Sequence, residues 1–245
     1  MLRIFALVVS LLALTLLNVK TCWGQHIGPD KGLRSQCVED GELARAVLSL
    51  SKQYDEARVA QRLLRQWVKR SSGCRERVIS SGMEAMDKPN LDISRDQASA
   101  NLWRQGAMLL GDLKATQSLD LLLSRIKMTD GEWSSTMTHQ PALEGIIRMG
   151  VLAIPKLEKL LRHPDSQTRR FTVYCLASIG GISARRALQK DVLKETDRCV
   201  RHFIEISIKV IDVKNGGVKP DHGEWAAAFD CKSWEFGLRR VLIRG

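Results

Sequence analysis

The sequence predicts an all-α protein built from repeated helical pairs, and three observations carry that prediction. Apolar residues recur at helical spacing along most of the 245 residues, whereas strand-forming runs rich in Val, Ile, Thr and aromatics are scarce. Proline occurs only six times, so few helices are interrupted. Glycines at 111, 150 and 180 each close an apolar helical stretch, at intervals of 39 and 30 residues. A period of this length with two helices per unit marks an α-solenoid of about four units. No single unit buries its own apolar face, so neighbours stack into a continuous core.

Composition sets the outer bounds. Apolar residues make up 44% and charged residues 27% of the chain, which excludes general disorder. Residues 1–24 read as an export signal. Arg3 supplies a basic start, and Ile4 to Val19 form a mostly apolar run shorter than the roughly 20 residues a spanning helix needs. Cys22 and Gly24 are small residues at the −3 and −1 positions of a cut before Gln25. An uncleaved membrane anchor is the alternative. A lipoprotein role for Cys22 is disfavoured by Lys20 and Thr21, which sit where small apolar residues are expected. The expected location is therefore periplasmic or secreted.

Cleavage would remove Arg3 and Lys20 and no acid, taking the net charge from +11 to +9. A chain this basic adheres to anionic surfaces at low salt, although the same charge also serves solubility. Cys37, Cys74, Cys175, Cys199 and Cys231 would remain, open to oxidation in an exported protein. The odd count leaves a free thiol or an intermolecular bond.

Residues 25–93 form an N-terminal helical hairpin region in this reading, with residues 25–36 a loose lead-in. A short helix over 42–50 places Leu43, Ala46, Val47 and Leu50 on one face. A second, over 55–69, carries Ala60, Leu63, Leu64, Trp67 and Val68, with a basic stripe of Arg58, Arg62, Arg65 and Lys69 opposite. Ser71-Ser72-Gly73 is expected to stop it. Cys37 and Cys74 flank the pair, whose outer ends a hairpin brings together. A Cys37–Cys74 disulfide is geometrically reasonable there and would contribute roughly 3–4 kcal/mol.

The repeat array spans 94–212. Ser94-Arg-Asp-Gln97 reads as a capping box opening its first helix. Leu109 and Leu110 precede Gly111; Ile146, Ile147 and Met149 precede Gly150; Leu176 and Ile179 precede Gly180. Leu122 and Leu161 follow the first two glycines in second helices, and Pro155 sits near the start of one, where its missing N–H costs nothing. Ala184, Ala187, Leu188 and Val192 supply the third second helix. A fourth unit starts after Asp197 with Val200, Phe203, Ile204, Ile206 and Ile208, in register if Arg201 matches Arg170. The longer first interval lies in Met128 to Pro141, an inserted loop. Trp133 in it is either an exposed anchor or folded back over the array. Residues 213–245, with Trp225, Phe229, Trp234 and Phe236, read as a C-terminal cap.

The run His163-Pro-Asp-Ser-Gln-Thr-Arg-Arg-Phe-Thr-Val-Tyr-Cys-Leu-Ala-Ser-Ile-Gly180 resembles the HEAT repeat, in the short bacterial form also found in phycobilisome-lyase-type proteins. A Pro-Asp turn, an arginine in the first helix and a Leu-x-x-Ile-Gly ending carry the resemblance. It is closest over 141–181, looser over 100–127 and 197–212, and thin elsewhere. The resemblance implies an array that binds proteins and transfers no catalytic residues. Two enzymatic relatives by fold are bilin lyases and HEAT-like alkylpurine DNA glycosylases. The first would need a pigment-bearing organism, and an export signal argues against DNA repair.

No pattern for chemistry competes. Cys199 and His202 lie three apart on a helix, but zinc would need two more ligands, and no CxxC or HExxH supplies them. Asp221-His222-Gly-Glu224 is more simply a polar loop. GxSxG and glycine-rich phosphate loops are absent from the sequence. The expectation is an exported non-enzymatic scaffold for another protein, with no cofactor, metal, small-molecule substrate or specific nucleic acid. Its candidate contacts are Trp133, Arg169, Arg170, Arg185 and Arg186. Binding of an anionic polymer or membrane surface through Arg58, Arg62, Arg65 and Lys69 is the alternative.

Overall fold

A computed structural model describes residues 37–88, 91, 93, 96–129 and 140–214, which are helical throughout apart from short connections. The expected export signal, Trp133 and residues 215–245 of the expected cap lie outside the described residues. No strand occurs among the described residues, and no helix there is long and apolar enough to cross a membrane.

The N-terminal region holds three helices rather than a hairpin. α1 (Asp40–Leu48) runs into a 3-10 turn at Ser49–Ser51, followed by α2 (Tyr54–Val68) and α3 (Ser72–Met86). The serines expected to stop α2 in fact start α3. Ser71 accepts a hydrogen bond from the Cys74 amide at 3.1 Å and so acts as an N-cap. Cys37 and Cys74 are joined as a disulfide with Cα atoms 5.0 Å apart, tying the segment before α1 to the first turn of α3. Leu43, Val47, Leu64 and Trp67 pack with Val78 and Ala85 of α3 and with Leu102 and Leu109 of α4 (Gln97–Asp112) in one apolar cluster. Where α2 meets α4, buried Gln61 donates to the Gln105 side chain at 2.8 Å and to its carbonyl at 3.1 Å. Each amide thereby spares the other an unsatisfied burial.

α4 opens on Asp96, not on the Ser94 capping box. Its carboxylate accepts from the amides of Ala98 and Ser99, at 3.2 and 2.9 Å. Beyond it come α5 (Leu119–Ser124), α6 (Pro141–Met149), α7 (Ile154–Leu160), α8 (Ser166–Ile179), α9 (Gly181–Val192) and α10 (Arg198–Lys214). α4 packs on α6, α6 on α8, and α8 on α10, while α7 lies against both α8 and α9. One apolar cluster runs unbroken from Ile79 and Met86 of α3 through Ile146, Leu176 and Leu188 to Ile211 of α10. α4 sits between the two clusters, giving Leu102 and Leu109 to one and Trp103, Ala107 and Leu110 to the other.

The three aligned glycines are not equivalent. Gly150 and Gly180 have φ of +65° and +69° at helix ends, the left-handed conformation in which glycine carries no Cβ penalty. Gly111 lies inside α4, where its missing side chain lets α4 approach α6. A Cβ there would fall against the Gly145 carbonyl oxygen, and one on Gly145 would come 2.7 Å from the Ala107 carbonyl oxygen. The stop after α4 is Lys114, at φ +52°, with Lys114 N donating to Gly111 O and Ala115 N to Leu110 O. That pair of bonds is a Schellman closure with lysine in the usual glycine position.

The fourth unit is also shifted by one residue from its expected register. Asp165 caps α8 through the Thr168 amide, and Asp197 caps the start of α10 through the amides of Cys199 and Val200. Four residues after each cap, Arg169 reaches back to the His163 and Pro164 carbonyls, and Arg201 to that of Glu195. Arg201 therefore matches Arg169, not Arg170.

Candidate functional site

The second helices, α5, α7 and α9, present a ladder of ion pairs. α5 and α7 are each entered through a 3-10 turn, Thr116–Ser118 and Gly150–Ala153. Lys156 of α7 pairs with Asp120 of α5 at 2.6 Å, and Lys190 of α9 with Glu158 of α7 at 2.7 Å. Arg162, just past α7, meets Asp191 of α9 at 3.3 Å. Each rung joins a base and an acid on consecutive second helices. Hydrogen bonding to Lys190 holds the Glu158 carboxyl below its ordinary pKa. These pairs are solvent-exposed on at least one side, so each adds little to stability and mainly fixes register.

The ladder consumes the acids and leaves cations over. Arg125, Lys159, Arg186 and Lys194 are exposed and make no ion pair among the described residues. Between α5, α7 and the start of α8 lies a groove of about 520 Å³, with Leu123, Ile126 and Leu160 as its apolar lining and Lys127, Lys156, Lys159 and His163 as polar ones. Lys127 also reaches the Asp165 cap at 3.2 Å. A second groove of about 410 Å³ begins on the other side of His163, lined by Arg162, Asp191, Lys194 and Glu195. His163 accepts the Asp165 amide on Nδ1 at 3.1 Å, which leaves its proton on Nε2. Asp191 is buried, and its Oδ2 has no hydrogen-bond partner among the described residues.

The arginines singled out from the sequence separate into different roles. Arg169 is turned inward onto Glu195 and is not a surface contact. Arg185 of α9 bonds Asp212 of α10 through both Nε and Nη2. Arg170 is half-buried, and Arg186 alone of the four is exposed. In the α2 stripe, Arg65 leaves the surface row to join Asp112, which also accepts from Arg148 of α6 at 2.9 Å. Asp112 thereby bridges α2 to α6 across α4. Arg58, Arg62 and Lys69 stay exposed, with the Arg58 guanidinium 5.4 Å from the Tyr54 ring centre. Lys127, Lys156, Lys159 and Lys194, which line the grooves, were not distinguishable in sequence, because they converge only once the second helices are laid side by side.

No cluster of three or more His, Cys, Asp or Glu side chains capable of holding a metal ion occurs among the described residues. Cys199 is disulfide-bonded, so its sulfur is not a thiolate ligand, and His202 lies 3.4 Å from Glu205. Cys175 is a free thiol in the core, and burial pushes its pKa strongly upward, away from reactivity. No protein-family model, curated protein or solved structure matches the chain.

Proposed function

We propose that the protein is a HEAT-like α-solenoid that serves as a non-enzymatic scaffold for another protein. The packing of α4 on α6, α6 on α8 and α8 on α10, with one core running through all four, is the observation that supports this reading. Successive units that each lean on the next are the arrangement repeat proteins use to extend a binding surface. Residues 213–245 would then close the open end of the last unit. The Cys37–Cys74 disulfide favours an oxidising compartment and so supports export by residues 1–24. The direct test is affinity capture of the tagged mature protein from an envelope or secreted fraction at two salt concentrations, with mass spectrometry. One stoichiometric protein retained at the higher salt is expected; recovery of only polyanions, or of nothing, overturns the scaffold.

The exposed Arg58, Arg62 and Lys69 on α2 favour a second reading, adhesion to an anionic polymer or membrane surface. It predicts heparin retention that falls steeply with salt and weakens when these residues are neutralised.

A further inference from the structure

We infer that the groove between α5 and α7 is the docking site of the scaffold, and that its occupant is an acidic peptide segment of the partner carrying apolar side chains between its carboxylates. The inference rests on the scaffold reading and adds a place and a chemistry to it. Three observations combine. The groove lining is apolar at Leu123, Ile126 and Leu160, which suits a buried aliphatic side chain. Its rim is cationic. Lys156 and Lys127 are already paired, with Asp120 and Asp165, whereas Lys159 is exposed and makes no ion pair among the described residues.

The charge excess then continues along the same ladder. Lys194 lies in the adjoining groove and Arg186 further along α9, both exposed and without an ion pair among the described residues. A chain laid across consecutive second helices meets cations at each step, and its apolar side chains have one recess to enter. Charge complementarity of this kind steers encounter and fixes register, while the apolar recess supplies the part of the affinity that salt does not screen.

The test uses the full mature protein and two short labelled peptides with the same glutamates, one with leucines between them and one with serines. Binding is read by fluorescence anisotropy at low and moderate salt. The leucine peptide is expected to bind the wild type, the serine peptide at least about tenfold more weakly, one apolar side chain being worth about 1.4 kcal/mol or more. K159E, which breaks no ion pair among the described residues, should weaken the leucine peptide several-fold, and K69E on α2 should leave it unchanged. Equal binding of both peptides with equal loss in K159E and K69E would show diffuse electrostatics and overturn the proposal. So would no binding of either peptide. Capture of the native partner by the K159E protein separates the two levels. If an undiminished stoichiometric partner is recovered, the scaffold stands and the groove is not its site.

Discussion

Arg169 and Glu195 meet through two parallel hydrogen bonds, Nε to Oε2 at 2.7 Å and Nη2 to Oε1 at 2.9 Å, across 26 residues of sequence. Their side chains are only 12% and 5% exposed. Glu195 also accepts the Asp197 amide at 2.8 Å, and its carbonyl accepts the Arg201 guanidinium. One carboxylate thus fastens the first turn of α8, the cap of α10 and the connection between them. Hydrogen bonding to Glu195 raises the pKa of the Arg169 guanidinium further, so Arg169 stays charged across any ordinary pH.

Breaking that pair strands a buried charge. R169A and E195A should each lower stability in urea by about 3 kcal/mol, and the double variant should lose clearly less than the sum of the two. Strict additivity would show that the residues are not coupled.

The crossing of α4 and α6 depends on the absence of side chains. G111A and G145A would each press a methyl group into backbone that cannot move aside, at a cost of about 2 kcal/mol or more. Gly41 in α1 has nothing within 4 Å of an added Cβ. G41A should therefore be neutral or stabilising by up to about 1 kcal/mol. Thermal unfolding of the three variants measures all of these.

The Cys37–Cys74 bond closes a loop with a sequence separation of 37. Loop-closure entropy makes it worth about 4 kcal/mol, so C37S/C74S should unfold at markedly lower urea while keeping its helical circular dichroism. Thiol titration of the native wild type should find Cys175 unreactive until the protein is unfolded.

Acid should act through the helix caps and ladder. Asp165 is held far below the ordinary aspartate value of 3.8 by the Thr168 hydroxyl and amide and by Lys127, and Asp96, Glu158 and Asp212 are lowered as well. A carboxylate with a depressed folded pKa contributes its full stability above the unfolded value and loses it as pH falls through the folded value. Stability should hold near neutrality and decline below about pH 4. D165A should lose about 1 kcal/mol at pH 7 and show a shallower decline in acid. A steeper decline would contradict this assignment.

Much of the architecture was legible because apolar spacing and helix stops are local. The expected helix over 55–69 is α2 with a one-residue offset, and the apolar helical stretch closing at Gly180 is α8. α3 was hidden for two physical reasons. Serine both interrupts and caps helices, and Ser71 does the second. The helix is also buried on two sides, Val78 and Ala85 toward one core and Ile79 and Met86 toward the other, so no single apolar stripe announces it. Gly111 looked like a stop because sequence cannot distinguish a glycine that ends a helix from one that admits a neighbour. Arg169 looked like a surface contact because Glu195 is distant in sequence. The groove was illegible for the same reason, since its cations come from separate helices.

Hydrogen–deuterium exchange of the protein, alone and with its captured partner, tests the proposed scaffold and its site together. The account predicts added protection concentrated in α5, α7 and the start of α8, with α2 unchanged. Protection confined to α2, or none on the second helices, would contradict it.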